Sequence, residues 1–350
     1  MLPISVIIPT RNCRDRLPNH LSSMKVWTTH VRELIVVDSY SSDGTIEFLR
    51  DELNHPNIHF FNHPPGLYES WNFGIGKTTM PYIYISTVGD TISLEGLKHL
   101  LKFIQLFDSD LLISPPKFES NGTFESKITP WPIHDILDFL QINEPTSIPS
   151  ETLIYYILFY RDFGIQGSSA SNIYKSSTLM KYPFPTTYGA AGDSAWFIKN
   201  IYNIATSVTP EYISTYLYHA KDWDLVTDTE GRAQEMKNRR IAFRKLIGET
   251  ISERFQQSTI RNLGPNPELL ECYRRTEKFL KNKELWSDYK KNFGAFRYFF
   301  PQALRAKFIR DRLKKHYKRL SCLAAKRSFV SAKNKAKTGS ALQESSCLTT

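Results

Sequence analysis

No stretch of this 350-residue chain approaches the roughly 18 consecutive apolar residues that a membrane-spanning helix needs. The best run, Leu153 to Tyr160, ends after eight residues at Arg161-Asp162. Cysteine is scarce: Cys13, Cys272, Cys322 and Cys347 lie far apart, without metal-ligand spacing, a usage that fits a reducing compartment. The N-terminus opens directly on a strand-like run and lacks a basic start or a small-residue cleavage site, so no secretion signal is expected. Internal repeats are absent. What the chain does have is material for a core, with 41% hydrophobic and 23% charged residues, which excludes a mainly disordered chain or a small disulfide scaffold. These features predict a cytoplasmic protein.

Acidic residues are nearly missing from one place. Residues 297 to 337 hold fourteen Lys and Arg against the single Asp311, a local +13 in a chain whose formal net charge is +10. With Glu344 counted in the last residues, the first 296 residues come to −2. The basicity therefore belongs to a C-terminal appendage. There Phe299, Phe300, Leu304, Phe308, Ile309, Leu313, Tyr317 and Leu320 recur at near-helical spacing among the cations. That pattern predicts a basic amphipathic helix, followed by a disordered tail, suited to an anionic membrane surface at the inner face of a membrane. A solvated tail without a partner is the plainer alternative. The near-neutral body and the lack of a binding motif argue against nucleic acid as a partner.

The first hundred residues alternate between buried strands and helices. Ile4 to Ile8 and Glu33 to Asp38 are continuous apolar, β-branched runs, the mark of strands covered on both faces. Ile58 to Asn62 and Tyr82 to Ser86 read as further strands. Helices are expected near Leu17 to Met24, Ile46 to Leu53, Leu67 to Gly74 and Leu94 to Phe107. Such alternation predicts an α/β fold with a mostly parallel central sheet flanked by helices. Ligands bind such sheets beyond the carboxyl ends of the strands, where Asp38 and Asp90 fall. After a strand at Leu111 to Ser114, residues 115–149 look Pro-rich and irregular, and Tyr188 to Trp196 is a glycine-rich turn opening a helix. From about 228 the chain reads as helical and charged. The expected divisions are 1–225, a helical region 226–296, and the basic segment 297–350.

Four motifs then stand in order: Ser5-Val-Ile-Ile-Pro-Thr-Arg-Asn12 with Leu34-Ile-Val-Val-Asp-Ser-Tyr-Ser-Ser-Asp-Gly-Thr45; Gly66-Leu-Tyr-Glu-Ser-Trp-Asn-Phe-Gly-Ile75; Tyr82-Ile-Tyr-Ile-Ser-Thr-Val-Gly-Asp90; and Gly189-Ala-Ala-Gly-Asp-Ser-Ala-Trp196. Together they resemble the family 2 glycosyltransferases, inverting enzymes of the GT-A fold that use nucleotide-diphosphate sugars. The resemblance implies sugar transfer to a hydroxyl on a glycan or lipid-linked acceptor, in polysaccharide or cell-surface glycan assembly. It implies donor contacts at Pro9, Thr10, Asn12, Asp38, Ser41, Asn72, Gly74 and Asp90. It also implies a divalent cation, Mn²⁺ or Mg²⁺, held by Asp90 and His219, and a catalytic base at Asp193.

The residues are compatible with those roles, and each has a plainer reading. A nucleobase needs a shaped wall and an acceptor for its ring N–H, which Pro9, Thr10 and Asp38 would supply; alternatively Asp38 only caps the turn through Ser41 or Ser42. Asp43-Gly44 is turn chemistry first. Where the family places two acids, Val88 or Gly89 replaces the first, leaving Asp90 alone, although Mg²⁺ often binds through one or two carboxylates plus substrate phosphates. Asp193 can take the acceptor proton or serve as an ordinary helix N-cap, and Trp71 lines a pocket or packs in the core. Gly74-Ile-Gly-Lys-Thr78 imitates a phosphate-binding loop, but Trp71 occupies the position of its first glycine and a helix precedes it. The missing acid also leaves room for a non-catalytic relic that binds nucleotide or glycan without turnover.

Overall fold

The computed structural model of the chain describes residues 1–120, 123–124, 131–157, 165–218 and 241–250, with single positions at 234, 238, 253, 329 and 330. Residues 1–150 and 162–248 form one compact unit. A second takes residues 151–161 and 249–350, in which a helix over Ser150–Ile157 is the main described element. The expected boundaries at 225/226 and 296/297, and the basic segment 297–337 apart from residues 329 and 330, lie outside the described residues.

The first unit opens β1 (Leu2–Thr10), α1 (Leu17–Met24), β2 (Val31–Asp38), α2 (Thr45–Glu52), β3 (Ile58–Asn62), α3 (Leu67–Ile75) and β4 (Tyr82–Ile85). It continues through β5 (Thr91–Ile92), α4 (Leu94–Leu106), β6 (Leu111–Ile113), β7 (Lys117–Ser120), β8 (Thr123–Phe124), α5 (Pro132–Leu140) and β9 (Thr146–Ile148). With α6 assigned to Ser150–Ile157, the remainder is β10 (Asn172–Lys175), α7 (Ser176–Lys181), α8 (Gly192–Asn200), β11 (Thr206–Val208) and β12 (Ser214–Tyr218).

Eight strands form the central sheet in the order β3-β2-β1-β4-β10-β6-β11-β9, and β5-β12-β7-β8 form a small second one. The half built from the first four strands is wholly parallel. Antiparallel partners enter with β10 and β9. The stretch expected to be irregular between 115 and 149 holds α5 as well as short strands. Pro132 sits in the first turn of α5, where its missing N–H costs nothing, and Ile133, Ile136, Leu137 and Leu140 supply a buried face.

The sheet is covered on both sides, which is why β1 and β2 are apolar over most of their length on both faces. Ile4, Val6 and Ile8 of β1 face the cluster built by Leu17, Leu21 and Met24 of α1, Leu49 of α2 and Leu97, Leu100 and Ile104 of α4. Ile7 and Val37 turn the other way, against α3. There Gly74 is a packing residue: a Cβ built on it would lie 2.9 Å from Ile7 Cγ2 and 3.2 Å from Val37 Cγ2. At the other end of the strands, Ser5 and Thr79 hydroxyls and the Thr79 N–H all donate to the buried Glu33 carboxylate, joining β1, β2 and the entry to β4.

Candidate active site

The carboxyl ends of β1 and β2 are adjacent, with Thr10 opposite Asp38 in the parallel register. Two loops leave from there, and side chains lace them together. Asn12 N–H donates to Ser41 Oγ (2.9 Å) and Asn12 Oδ1 accepts from Ser42 N–H (2.9 Å). Asp43 accepts from Arg14 N–H (3.0 Å) and from the Thr45 hydroxyl (2.6 Å), while Cys13 N–H donates to Thr45 Oγ1 (3.0 Å). Asp43 is therefore turn chemistry, as its Asp-Gly context predicts. Burial pushes its carboxyl up, and these bonds together outweigh it and hold the carboxyl below the usual range.

Asp38, 2% exposed, accepts from Thr10 Oγ1 (2.9 Å) and from both Ser41 Oγ (2.6 Å) and Ser41 N–H (2.8 Å). Both expected features thus occur together: Asp38 closes the turn through Ser41, and it stands at the strand end beside Thr10. Between Ser39 and Ser41, Tyr40 takes φ 52° and is exposed, an uncommon backbone conformation for an aromatic residue.

A cavity of about 390 Å³ opens beyond these strand ends. Pro9, Thr10, Arg11, Cys13 and Arg16 wall it from β1 and its loop, and Ser39 from the end of β2. The start of α3 contributes Gly66, Leu67 and Ser70, and the loop after β4 contributes Thr87 and Val88. The lining thus draws on the ends of three neighbouring parallel strands, the position where such sheets take ligands. Of the donor-contact expectations, Pro9 and Thr10 line it directly, and Asn12, Asp38 and Ser41 support its rim.

Asp90 is turned elsewhere. It is buried and absent from the cavity wall, and its oxygens accept from Thr87 Oγ1 (2.7 Å), Ser168 Oγ (2.5 Å) and Leu217 N–H (3.3 Å). Burial raises its pKa to about 6, partly offset by these bonds. Asp90 thus meets three protein donors and faces away from the cavity, which is not the open pair of acids that a cation beside the diphosphate would use. His219 lies outside the described residues, and among those described no three His, Cys, Asp or Glu side chains cluster in a way that could hold an ion.

Asp193 sits in the first turn of α8, one residue past its first position, and the cap itself is Ala191. It is thus not an N-cap, though a carboxylate there is favoured by the helix dipole. Its Oδ1 accepts from Ser194 N–H (2.6 Å), and the Tyr68 hydroxyl, which donates to the Ala190 carbonyl (3.1 Å), lies beside the same carboxylate and lowers its pKa. Gln166 Nε2 donates to the Asp193 carbonyl (2.7 Å). Burial raises the Asp193 carboxyl pKa, and burial followed by the nearby carboxylate raises those of the Tyr68 and Tyr174 hydroxyls. Tyr68 lies on α3 between Leu67 and Ser70, so one helix carries both the cavity wall and the partner of Asp193.

Two expected donor contacts have other occupations. Asn72 gives its whole amide to one backbone unit, donating to the Phe184 carbonyl (2.8 Å) and accepting from the Phe184 N–H (2.9 Å). Gly74 is spent on the approach of α3 to the sheet. Trp71 is core, 3% exposed and packed edge-on against Tyr68 and Phe184. The sequence reading missed Arg11, Arg16, Thr87, Ser70, Ser168 and Tyr68. Arg11, standing directly after the Pro9-Thr10 strand end, carried a local signal; Ser168, which reaches Asp90 across 78 positions of sequence, carried none.

A half-parallel sheet with a cavity at its strand ends is the architecture of the GT-A fold. Residues 5–163 match the family described as Glycosyl transferase family 2. Among solved structures it is similar to S. aureus TarS 1-349 in complex with UDP-GlcNAc, at 17% identity and TM-score 0.53, covering 95% of this chain and 92% of that one. A further S. aureus TarS structure matches at 19% identity and TM-score 0.46, covering 72% of this chain; the present chain spans only 43% of its length. Glucosyl-3-phosphoglycerate synthase from Mycobacterium tuberculosis, solved with Mn²⁺, UDP and glucosyl-3-phosphoglycerate, matches at 16% identity and TM-score 0.45, covering 70% and 80% of the two chains. No curated protein matches the chain in sequence.

Proposed function

We propose that the chain transfers a sugar, with inversion, from a nucleotide-diphosphate donor bound in the strand-end cavity to a hydroxyl acceptor. The observation that carries this reading is the cavity itself, walled by the motif residues Pro9 and Thr10, with Asp38 bonded to Thr10 behind the wall. Inversion needs a base that takes the acceptor's proton as its oxygen attacks opposite the leaving diphosphate. Asp193 is the assigned base: its carboxyl pKa is raised by burial, which makes it a stronger proton acceptor, and Tyr68, on the helix that walls the cavity, lies beside it. The acceptor we assign is a glycan or lipid-linked hydroxyl in polysaccharide or cell-surface glycan assembly. The +13 segment would bring the enzyme to an anionic membrane face.

The test is nucleotide release from a panel of UDP-, GDP- and dTDP-sugars, with water or simple glycosides as acceptor. Asp193→Asn should lower turnover by about 10²-fold or more, the usual worth of a positioned base, while leaving donor affinity within a few-fold. Unchanged turnover in that variant would remove Asp193 from the reaction. Donor binding without release of nucleotide by the unaltered chain would favour the relic, the reading to which the closed-off Asp90 carboxylate lends support.

A further inference from the structure

We propose that Arg11 and Arg16 neutralise the donor diphosphate in this cavity, in the place a divalent cation would otherwise take. The inference rests on the donor-binding reading above and says how that site handles charge. A nucleoside diphosphate brings two or more negative charges, and the cavity lining holds two guanidinium groups and no carboxylate, with Arg16 also 4.0 Å from the exposed Asp15 carboxylate. The hydroxyls of Thr10, Ser39, Ser70 and Thr87 complete its polar wall.

Three carboxylates near the strand ends, those of Asp38, Asp43 and Asp90, are already committed. Asp38 is bonded to Thr10 and Ser41, Asp43 to Arg14 and Thr45, and Asp90 to Thr87, Ser168 and Leu217. A divalent cation prefers one or two carboxylates beside the phosphates, and recruiting any of these would break a bonded cluster. Guanidinium needs no such partner: its planar fork matches phosphate oxygens in pairs, and it stays charged at every working pH. The start of α3 at Gly66 and Leu67 stands in the same wall, its positive helix end already faced by the Glu69 carboxylate of its first turn. Of the two acids the family resemblance implies at this strand end, the first is replaced here by Val88 or Gly89, and only Asp90 remains.

Calorimetric titration of the full chain with UDP and UMP, in EDTA and in excess Mg²⁺ or Mn²⁺, tests this. We expect UDP to bind in EDTA within about threefold of its affinity with metal. Arg11→Gln and Arg16→Gln should each weaken UDP by about tenfold and shrink the preference for UDP over UMP, as expected for one charge-assisted contact. Arg16→Lys, which keeps the charge and loses the fork, should recover part of the loss. Arg50→Gln on α2, where Arg50 lies over the Phe60 ring, removes an equal charge outside the cavity and should change affinity less than about twofold. UDP binding that requires metal, or an unaltered UDP-to-UMP ratio in both arginine variants, overturns the inference while the donor reading stands. If GDP, ADP and CDP as well as UDP fail to bind with or without metal, the donor reading falls and takes this inference with it.

Discussion

His20 and Asp90 share one buried contact and titrate in opposite senses. His20 Nδ1 lies 3.2 Å from the Asp90 carbonyl, and burial lowers its imidazole pKa to about 4. The same burial raises the Asp90 carboxyl to about 6. For Asp90 the folded chain holds its proton more tightly than the unfolded one, so its contribution is full at low pH and fades as pH rises from about 4 to 6. For His20 the unfolded chain takes up the proton first, so its contribution fades as pH falls from about 6.5 to 4. Over that window the two slopes oppose. Replacing Asp90 by Asn removes the falling one, so the melting temperature of the variant relative to the parent should climb from pH 4 to pH 6.5. A difference that stays level across that range, by scanning calorimetry, would remove Asp90 as a buried titrating group. At the same scale the Asn72 amide should count in stability: Asn72→Ala strands the Phe184 N–H and carbonyl, and urea unfolding should report a loss of about 1–3 kcal/mol.

Among the elements, α3 bears the most duties, since it walls the cavity, carries Tyr68 and packs Gly74 on β1 and β2. Gly74→Ala sets two effects against each other. Alanine favours the helix by about 1 kcal/mol, whereas its Cβ must displace the β-branched Ile7 and Val37, at about 1–3 kcal/mol. The clash should win, giving a lower unfolding midpoint in guanidinium. The start of α4 offers a cleaner case, because Ser93 caps it by accepting from Gly96 N–H (3.0 Å), and Ser93→Ala should cost about 1 kcal/mol. These elements were legible as sequence. β1 to β4 and α1 to α4 carry strong apolar runs or periodicity, and their observed bounds differ from the expected ones by a residue or two. Asn172–Lys175 and Thr206–Val208 did not stand out, because three or four residues with polar members give no period to read. Spacing also places a residue without aiming its side chain. Asp90 falls at the expected strand end, yet Ser168 and Leu217, far along the chain, draw its carboxylate inward.

At the scale of the whole molecule, charge is divided between a body at −2 and a segment at +13. Attraction of that segment to anionic lipid should be strong at low salt and fade as the screening length drops from about 30 Å at 0.01 M to about 8 Å at 0.15 M. Cosedimentation with phosphatidylserine vesicles checks this. Exchanging Lys314, Lys315, Lys318 and Arg319 for Gln should release the protein at salt concentrations where the parent still binds. Vesicle binding indifferent to both salt and substitution would separate the tail from any membrane role. The body has its own long-range constraint. The loops after β1 and β2 are bound to one another by side chains about 30 positions apart, Asn12 to Ser41 and Ser42, and Arg14 to Asp43. The two are thus one object written in two places in the gene. A loop transplanted here from a related enzyme, to change which donor is accepted, would arrive without its counterpart and lose that lacing. If the cavity binds the proposed donor, its preference is exchangeable only as a matched pair.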